Sequence, residues 1–276
     1  TDDIPARMGV MSALVLAFIL GIGISKVKDS SLLKVFEEFN SIVLMIVTNV
    51  LIPLVPIYIC CIFAKLSFSG EIFTTLKSFA IVYAVLFSLQ AIYILIQYSI
   101  ASVIKKENPF KLIKNMLPAY FTAMGTQSSA ATIPVTLQCV KSNNVGEEIA
   151  EFVVPLGATI HLAGDTITLV ITSMAVMYMN GQVPTLSQVI PFIFMLGVTM
   201  IAAPGVPGGG VMAALGLLET MFGFGSIEKP IMIALHAAQD SFGTATNITG
   251  DGAIAVIVDY LINKKDNESN VELESA

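Results

Sequence analysis

The stretch MGTQSSAATIP, residues 124–134, lies in the middle of an apolar run from Met116 to Val140 that carries no formal charge. It brings a glutamine, four hydroxyl residues, a glycine and a proline into a segment long enough to cross a bilayer. A helix in contact with lipid cannot satisfy the backbone groups that such a break sets free. We therefore predict a hairpin of two half-helices that enter and leave on the same side, with Ser128 and Ser129 at its tip.

The composition of the whole chain is that of an all-α membrane protein. Of its 276 residues, 55% are hydrophobic and 12% are charged, about half the charge of a soluble domain. Lysines follow several apolar runs, and the positive-inside rule places those loops in the cytoplasm. We therefore expect a multi-pass protein of the cell membrane, with the lipid bilayer as its surroundings. The other runs are Met8–Ser25, Phe39–Ala64, Ser78–Ile104, Phe152–Leu218 and Ile231–Ile262.

Charge and cysteine content exclude several classes of function. The formal net charge is −6, it comes largely from the termini and from Glu147–Glu151, and no polybasic patch is present. We therefore expect no nucleic-acid partner. The three cysteines lie in apolar runs without metal-ligand spacing, so we expect packing roles for them and no organic cofactor.

A second interruption, AAPGVPGGG at residues 202–210, divides a later apolar run with two prolines and four glycines. Each broken segment is followed by a full span that contains acidic residues. This order predicts an inverted repeat of hairpin, helix, hairpin and helix, with the binding site where the two tips meet.

The last apolar run carries polar side chains at spacings of four, four, three and four, which place them on one face of a helix. We call this set the polar stripe. Hydroxyl and amide groups alone would be typical of bonds between membrane helices. The two carboxylates in the stripe favour a functional site instead. The polar stripe consists of His236, Asp240, Thr244, Asn247 and Asp251.

The aspartates Asp165, Asp240 and Asp251 lack a basic partner in the sequence around them, because no apolar run contains a lysine or arginine. A charged aspartate at the bilayer centre costs about 3 kcal/mol or more and needs a partner. Protons, metal ions, a ligand amine or a histidine could each neutralise these groups. Asn247 and Asp251 offer hard oxygen ligands that suit an alkali ion. Asp259, near the end of the run, is expected to be solvated and without a role.

Four motifs together resemble the dicarboxylate/amino acid:cation symporter family of glutamate transporter homologues. They are TQSSAATIPVT (126–136), PLGATIHLAGDTIT (155–168), PGVPGGG (204–210) and QDSFGTATNITGD (239–251). The resemblance implies a homotrimer that works by an elevator mechanism. It also implies a scaffold region with two transmembrane helices at 1–77, a transport domain at 78–265 and a polar tail at 266–276, with the family's N-terminal helices missing from this chain.

The resemblance further implies a substrate site. Ser128 and Ser129 would bind the substrate carboxylate, and Asp240 would bind its amine. The remaining contacts would come from the backbone of the second tip and from two side chains of the last helix. These are Val206, Gly208, Thr244 and Asn247.

Two sodium sites are implied in the same way. The first would use the side chains of Asn247 and Asp251 with backbone carbonyls of Gly157 and His161. The second would use backbone around Thr159 and Leu162 together with the second hairpin.

The departures from the family pattern concern coupling and specificity. The signature Asn-Met-Asp-Gly-Thr reads HLAGD at 161–165, so the carboxylate of a third sodium site is missing. Alanine at 163 is similar to the serine/threonine:sodium symporter branch. His161 and His236 would lie around the missing site, where an imidazole could couple transport to protons.

The substrate arginine of acidic-substrate members is replaced by Gly243, and Asp165 stands where they have a threonine. These changes favour a small neutral amino acid, with a basic amino acid or a dicarboxylate as the alternatives. A transporter of this kind carries out no covalent chemistry, so we expect that the protein is not an enzyme. An intramembrane aspartyl protease using Asp165 and Asp251 would leave the hairpins unexplained, and a cation channel would not need two gates.

Overall fold

A computed structural model describes residues 10–27, 31–46, 72–203, 205 and 207–274, with isolated positions between 49 and 68. The described residues form helices and no strands. The helices with defined bounds are α1 Val10–Ser25, α2 Ser31–Ile46, α3 Ile72–Lys105, α4 Pro109–Thr126, α5 Ser129–Ser142, α6 Glu147–Ile160, α7 Ala163–Met179, α8 Leu186–Ile201, α9 Gly209–Phe222 and α10 Glu228–Glu274.

The first interruption separates α4 from α5 at the residues that the sequence indicates. Helix α4 ends at Thr126, and Gln127 takes the left-handed conformation with a φ of 52°. Ser128 then caps α5, because its hydroxyl oxygen accepts a hydrogen bond from the Ala131 amide at 3.3 Å. Helices α4 and α5 pack against each other, and we call them the first helix pair.

The second interruption separates α8 from α9, which also pack against each other and form the second helix pair. Helix α8 ends at Ile201, and α9 begins at Gly209 after Gly208, whose φ of 73° favours glycine. Between the two pairs the chain forms α6 and α7, with a break at His161 and Leu162.

Helix α10 lies at the centre of the fold. It packs against α3, α4, α5, α6, α7 and α9. In the most apolar 18-residue stretch of α10, 67% of the residues are buried inside the protein. The corresponding share in α3 is 17%. The polar residues of α10 are therefore surrounded by protein rather than lipid.

Three helical segments in the described part of the chain are long and apolar enough to cross a membrane: Phe79–Lys105, Glu147–Met179 and Glu228–Asn263. Helices α1 and α2 have 16 residues each. The assignment of residues 1–77 to a scaffold with two spans stays a prediction.

Close approach of α10 to its neighbours depends on small residues. A Cβ atom at Gly252 would lie 2.6 Å from Met116 Cε and 2.8 Å from the Tyr98 hydroxyl. A Cβ atom at Gly164 would overlap the backbone carbonyl of Gly243, so α7 and α10 touch through their main chains there. The contact between Gly164 and Gly243 accompanies the hydrogen bonds between Asn247 of the polar stripe and α7.

The expectation that Asp259 is solvated is wrong. Its side chain is buried, and its Oδ1 accepts a hydrogen bond at 2.8 Å from the backbone amide of Gly146. Gly146 is the N-cap residue of α6, so Asp259 anchors the start of that helix to α10. The sequence did not indicate this contact because the two residues are 113 positions apart.

Candidate functional site

The polar stripe faces the interior of the protein along its whole length. All five of its side chains are buried, and His236 and Asp251 are fully enclosed. The regular α-helical course of α10 through these residues places them on one face, as their spacing predicts. Two carboxylates therefore lie inside an apolar fold.

The loops of the two helix pairs meet beside the polar stripe. The Ser128 hydroxyl donates a hydrogen bond at 2.8 Å to the backbone carbonyl of Gly205 in the second loop. Gln127 Nε2 donates to the Ser241 hydroxyl of α10 at 2.8 Å. Ser129 is buried as the first residue of α5. Val206 lies outside the described residues.

Asp240 lies next to the second loop. Its Oδ2 accepts a hydrogen bond at 2.7 Å from the backbone amide of Gly208, and its Oδ1 lies 3.5 Å from the Thr244 hydroxyl. No lysine or arginine contacts Asp240 among the residues that the structure describes. The hydrogen bonds that position this carboxylate therefore come from neutral donors.

The break between α6 and α7 supplies a histidine partner for Asp251. His161 Nδ1 lies 2.8 Å from Asp251 Oδ1, and His161 Nε2 lies 3.0 Å from the Tyr93 hydroxyl of α3. Gln97 Nε2 in turn donates to the Tyr93 hydroxyl at 2.8 Å. The other carboxylate oxygen, Asp251 Oδ2, is buried without a hydrogen-bond partner in the described part of the chain.

A second histidine–aspartate pair joins α10 to α7. His236 Nε2 lies 3.0 Å from Asp165 Oδ1, and Asn247 Nδ2 donates to Asp165 Oδ2 at 2.7 Å. Asn247 Oδ1 accepts a hydrogen bond from the backbone amide of Gly164 at 2.7 Å. Both ends of the Asn247 amide therefore contact α7, and each oxygen of Asp165 already accepts a bond.

Asp165, His236 and Asp240 form one buried cluster in which a ligand atom of each lies within 4.8 Å of the others. The absence of side chains at Gly210 and Gly243 allows this arrangement. A Cβ atom at Gly210 would lie 3.3 Å from His236 Nε2, and one at Gly243 would lie 3.3 Å from Asp165 Oδ1. Asp165 Oδ1 and the side chain of Gln239 therefore lie directly against Gly243.

The residues predicted to offer backbone carbonyls to sodium lie at the end of α6 and the start of α7. The Gly157 carbonyl accepts a hydrogen bond from the His161 amide at 2.8 Å. A Cβ atom at Gly157 would lie 2.5 Å from Asp251 Oδ1. The carbonyl of Leu162 accepts the Thr166 amide at 2.9 Å. Thr159 is exposed, and its hydroxyl donates to the Leu156 carbonyl at 2.8 Å. Of this group, Gly157 and His161 contact Asp251 directly.

Helix α3 contributes three polar residues that the sequence reasoning did not single out. Gln90 donates hydrogen bonds to Thr168 and Gln239, Tyr93 contacts His161, and Gln97 donates to Tyr93. Their spacing of three and four residues places them on one face of an otherwise apolar helix. The same spacing of three and four residues marks the polar stripe, so these positions can also be recognised in the sequence.

The sequence is similar to known transporters. An excitatory amino acid transporter of Caenorhabditis elegans is 27% identical over 270 residues, which cover 96% of this chain and 53% of that protein. Human neutral amino acid transporter A is 29% identical over 172 residues, or 62% of this chain and 32% of that protein. Human excitatory amino acid transporter 1 is 30% identical over 171 residues, or 62% of this chain and 31% of that protein.

The chain thus spans about half the length, or less, of these curated relatives. The model of the sodium:dicarboxylate symporter family matches residues 3–261. The relatives and the family are transporters and not enzymes, as the sequence predicts. Because the match covers nearly the whole chain, the chain belongs to the sodium:dicarboxylate symporter family.

Proposed function

We propose that the protein is a secondary active transporter that couples the uptake of a small neutral amino acid to sodium. The observation that carries the proposal is the buried Asp251 Oδ2, which lacks a partner among the described residues. An unpaired carboxylate oxygen inside a protein is costly, and a bound cation would compensate it. The carboxylate and carbonyl oxygens around it suit a hard alkali ion.

The proposed first cation site uses Asp251, Asn247 and the carbonyls of Gly157 and His161. The contact between the Gly157 backbone and the Asp251 carboxylate supports this grouping. A second site is proposed around Thr159 and Leu162 with the second helix pair. The family description, which names sodium, supports the choice of ion.

The proposed substrate site lies where the two loops meet at Asp240. A substrate ammonium would compensate the Asp240 carboxylate, which only neutral donors contact in the described part of the chain. The substrate carboxylate would bind at the first loop. The proposed contacts are Ser128, Ser129, Val206, Gly208, Thr244 and Asn247.

The preference for a neutral side chain rests on Gly243 and Asp165. Gly243 offers no positive charge to a substrate carboxylate, and the neighbouring Asp165 would repel one. Asp165 accepts bonds from both His236 and Asn247, so it does not require a basic substrate as its partner. These pairings favour a neutral amino acid over a basic amino acid or a dicarboxylate.

The proposed architecture is that of an elevator transporter. Residues 78–265 would form the transport domain and residues 1–77 part of a trimerisation scaffold, in a cell-membrane homotrimer. The two helix pairs would be re-entrant hairpins of an inverted repeat. Each is a pair of packed helices that precedes a long apolar segment, which supports this proposal.

Coupling to protons is the second proposal for this site. His161 and His236 each contact one buried aspartate, and histidine changes its charge near neutral pH. A protonated imidazole would supply the positive charge that a sodium ion supplies elsewhere in the family. Sodium and proton coupling therefore differ in the pH dependence of uptake.

Concentrative uptake into proteoliposomes tests the proposed function. We expect serine, threonine and other small neutral amino acids to accumulate against a gradient when sodium is present outside, and choline to be inactive in its place. Labelled uptake competed by a panel of amino acids would then rank the substrates. Saturable uptake of aspartate or glutamate, with serine, threonine and lysine inert, would show that the proposed preference is wrong.

A further inference from the structure

We infer that Tyr93 and Gln97 are positioning residues that set the cation affinity of Asp251 by acting through His161. The inference rests on the proposed cation site and adds two residues of α3 to it. Neither residue touches the proposed ion. Each acts by fixing the direction of a hydrogen bond.

The direction of the chain of hydrogen bonds follows from its first donor. Gln97 Nε2 donates to the Tyr93 hydroxyl oxygen, so the single Tyr93 proton is free to point elsewhere. His161 Nε2, at 3.0 Å, is the acceptor that the described residues offer to that proton. Donation from Tyr93 to Nε2 uses this proton, whereas donation from Nε2 to Tyr93 would leave it without an acceptor, so we take Nε2 as the acceptor that carries a lone pair.

The consequence for Asp251 follows from the two nitrogens of the imidazole. With a lone pair on Nε2, the neutral ring carries its proton on Nδ1 and donates it to Asp251 Oδ1 at 2.8 Å. The donated bond holds one carboxylate oxygen against His161. It leaves Oδ2, which lacks a partner in the described part of the chain, as the oxygen that faces the ion.

The packing around His161 shows that the ring has little freedom to adopt another position. A Cβ atom at Gly250 would lie 2.5 Å from His161 Cε1 and 2.8 Å from Gln97 Oε1. The imidazole therefore lies directly on the backbone of α10, at the residue before Asp251. The hydrogen bond from Tyr93 selects which of its nitrogens carries the proton.

Removal of the Tyr93 hydroxyl tests the inference. In Tyr93→Phe the imidazole loses the donor that fixes its tautomer, and the Asp251 carboxylate loses its orientation. Loss of a direct outer partner of a metal ligand lowers metal affinity about 10-fold or more; Tyr93 acts one hydrogen bond further out, so we expect the sodium midpoint to rise several-fold, up to about 10-fold. The maximal sodium response should stay near that of the parent.

The measurement is the thermal unfolding of the purified, detergent-solubilised protein, followed by circular dichroism at fixed pH. Sodium is titrated against choline at constant ionic strength, because a ligand that binds only the folded state raises the melting temperature. Tyr83→Phe is the matched control. Tyr83 lies on the same helix and donates one hydrogen bond at 3.0 Å to the Leu235 carbonyl, away from His161.

A double-mutant cycle separates positioning from general destabilisation. In a His161→Asn background there is no imidazole to orient, so adding Tyr93→Phe should change the sodium midpoint by less than about twofold. Gln97→Met is the second variant, used if Tyr93→Phe does not fold. It removes the donor to Tyr93 and should also raise the midpoint in the parent but not in the His161→Asn background.

Three results would overturn the inference. The first is an unchanged sodium midpoint in Tyr93→Phe, equal to that of Tyr83→Phe. The second is a shift that persists in the His161→Asn background, which would mean that Tyr93 does not act through His161. The third is a parent protein without any sodium response, which would remove the proposed cation site itself.

Discussion

The substitution Gly157→Ala tests whether the Asp251 carboxylate must stay where it is. The new Cβ atom would lie 2.5 Å from Oδ1, 2.7 Å from Cγ and 3.2 Å from Oδ2 of Asp251. Ordinary contacts need about 3.5 Å or more, so the carboxylate must move by about 1 Å. The displaced Oδ1, now 2.8 Å from His161 Nδ1, would then leave hydrogen-bond distance.

The magnitude follows from the bond that is broken. A hydrogen bond to a charged group contributes about 1.5–3 kcal/mol, so its loss should lower the free energy of unfolding of the sodium-free protein by about that amount. The same bond orients the carboxylate of the proposed cation site, and loss of an outer partner of a metal ligand lowers metal affinity about 10-fold or more, so we expect the sodium midpoint to rise by about that factor. Alanine favours a helix by about 1 kcal/mol over glycine, which offsets part of the loss in folding stability. The net loss of stability without sodium should therefore be about 2 kcal/mol or less, and the loss of sodium affinity should come in addition to it.

The assay is the sodium titration of the melting temperature at constant ionic strength, with Gly197→Ala as the matched control. Gly197 lies inside α8, and a Cβ atom there meets nothing within 4 Å. The control should gain up to about 1 kcal/mol of stability and keep the parent's sodium midpoint. If Gly157→Ala also keeps that midpoint, the placement of the cation at Asp251 is refuted.

Three further variants test the site and the packing around it. Asp251→Asn should abolish sodium-driven uptake while the protein still inserts into the membrane; normal sodium dependence would contradict the role of this carboxylate. Gly164→Ala should cost several kcal/mol of stability, because its Cβ atom would overlap the Gly243 carbonyl. A monodisperse gel-filtration profile and a melting temperature like those of the parent would argue against the close contact of α7 and α10. The double variant His161→Asn, His236→Asn should flatten the pH profile of uptake; an unchanged profile would exclude coupling through these imidazoles.

The arrangement of charges explains why two histidines occur in this protein and both lie at the site. In the described helices Asp165 and Asp251 each contact one imidazole, and Asp240 contacts only neutral donors. Two of the three central carboxylates therefore have an imidazole at one oxygen, while Asp251 Oδ2 and the Asp240 carboxylate have no charged hydrogen-bond partner in the described helices. This division supports separate places for a coupling ion and for a substrate amine.

The sequence by itself determined the helical class, the positions of the interruptions and the face of the polar stripe. These features are local: glycine, proline and hydroxyl residues end a helix where they stand, and a spacing of three and four aligns side chains on one face. The ends of α4 and α8 fall within the predicted interruptions, at Thr126 and next to Ala202. The lack of lysine and arginine in the apolar runs likewise predicted that the aspartates need other partners.

Only the tertiary structure decided which partners those are. His161 contacts Asp251 across 90 residues of sequence, and His236 contacts Asp165 across 71. Such pairs depend on which helices pack together and on the main-chain contacts that glycines allow, and neither is encoded in local periodicity. The contribution of Tyr93 and Gln97, and the burial of Asp259 at the start of α6, follow from the same packing around α10.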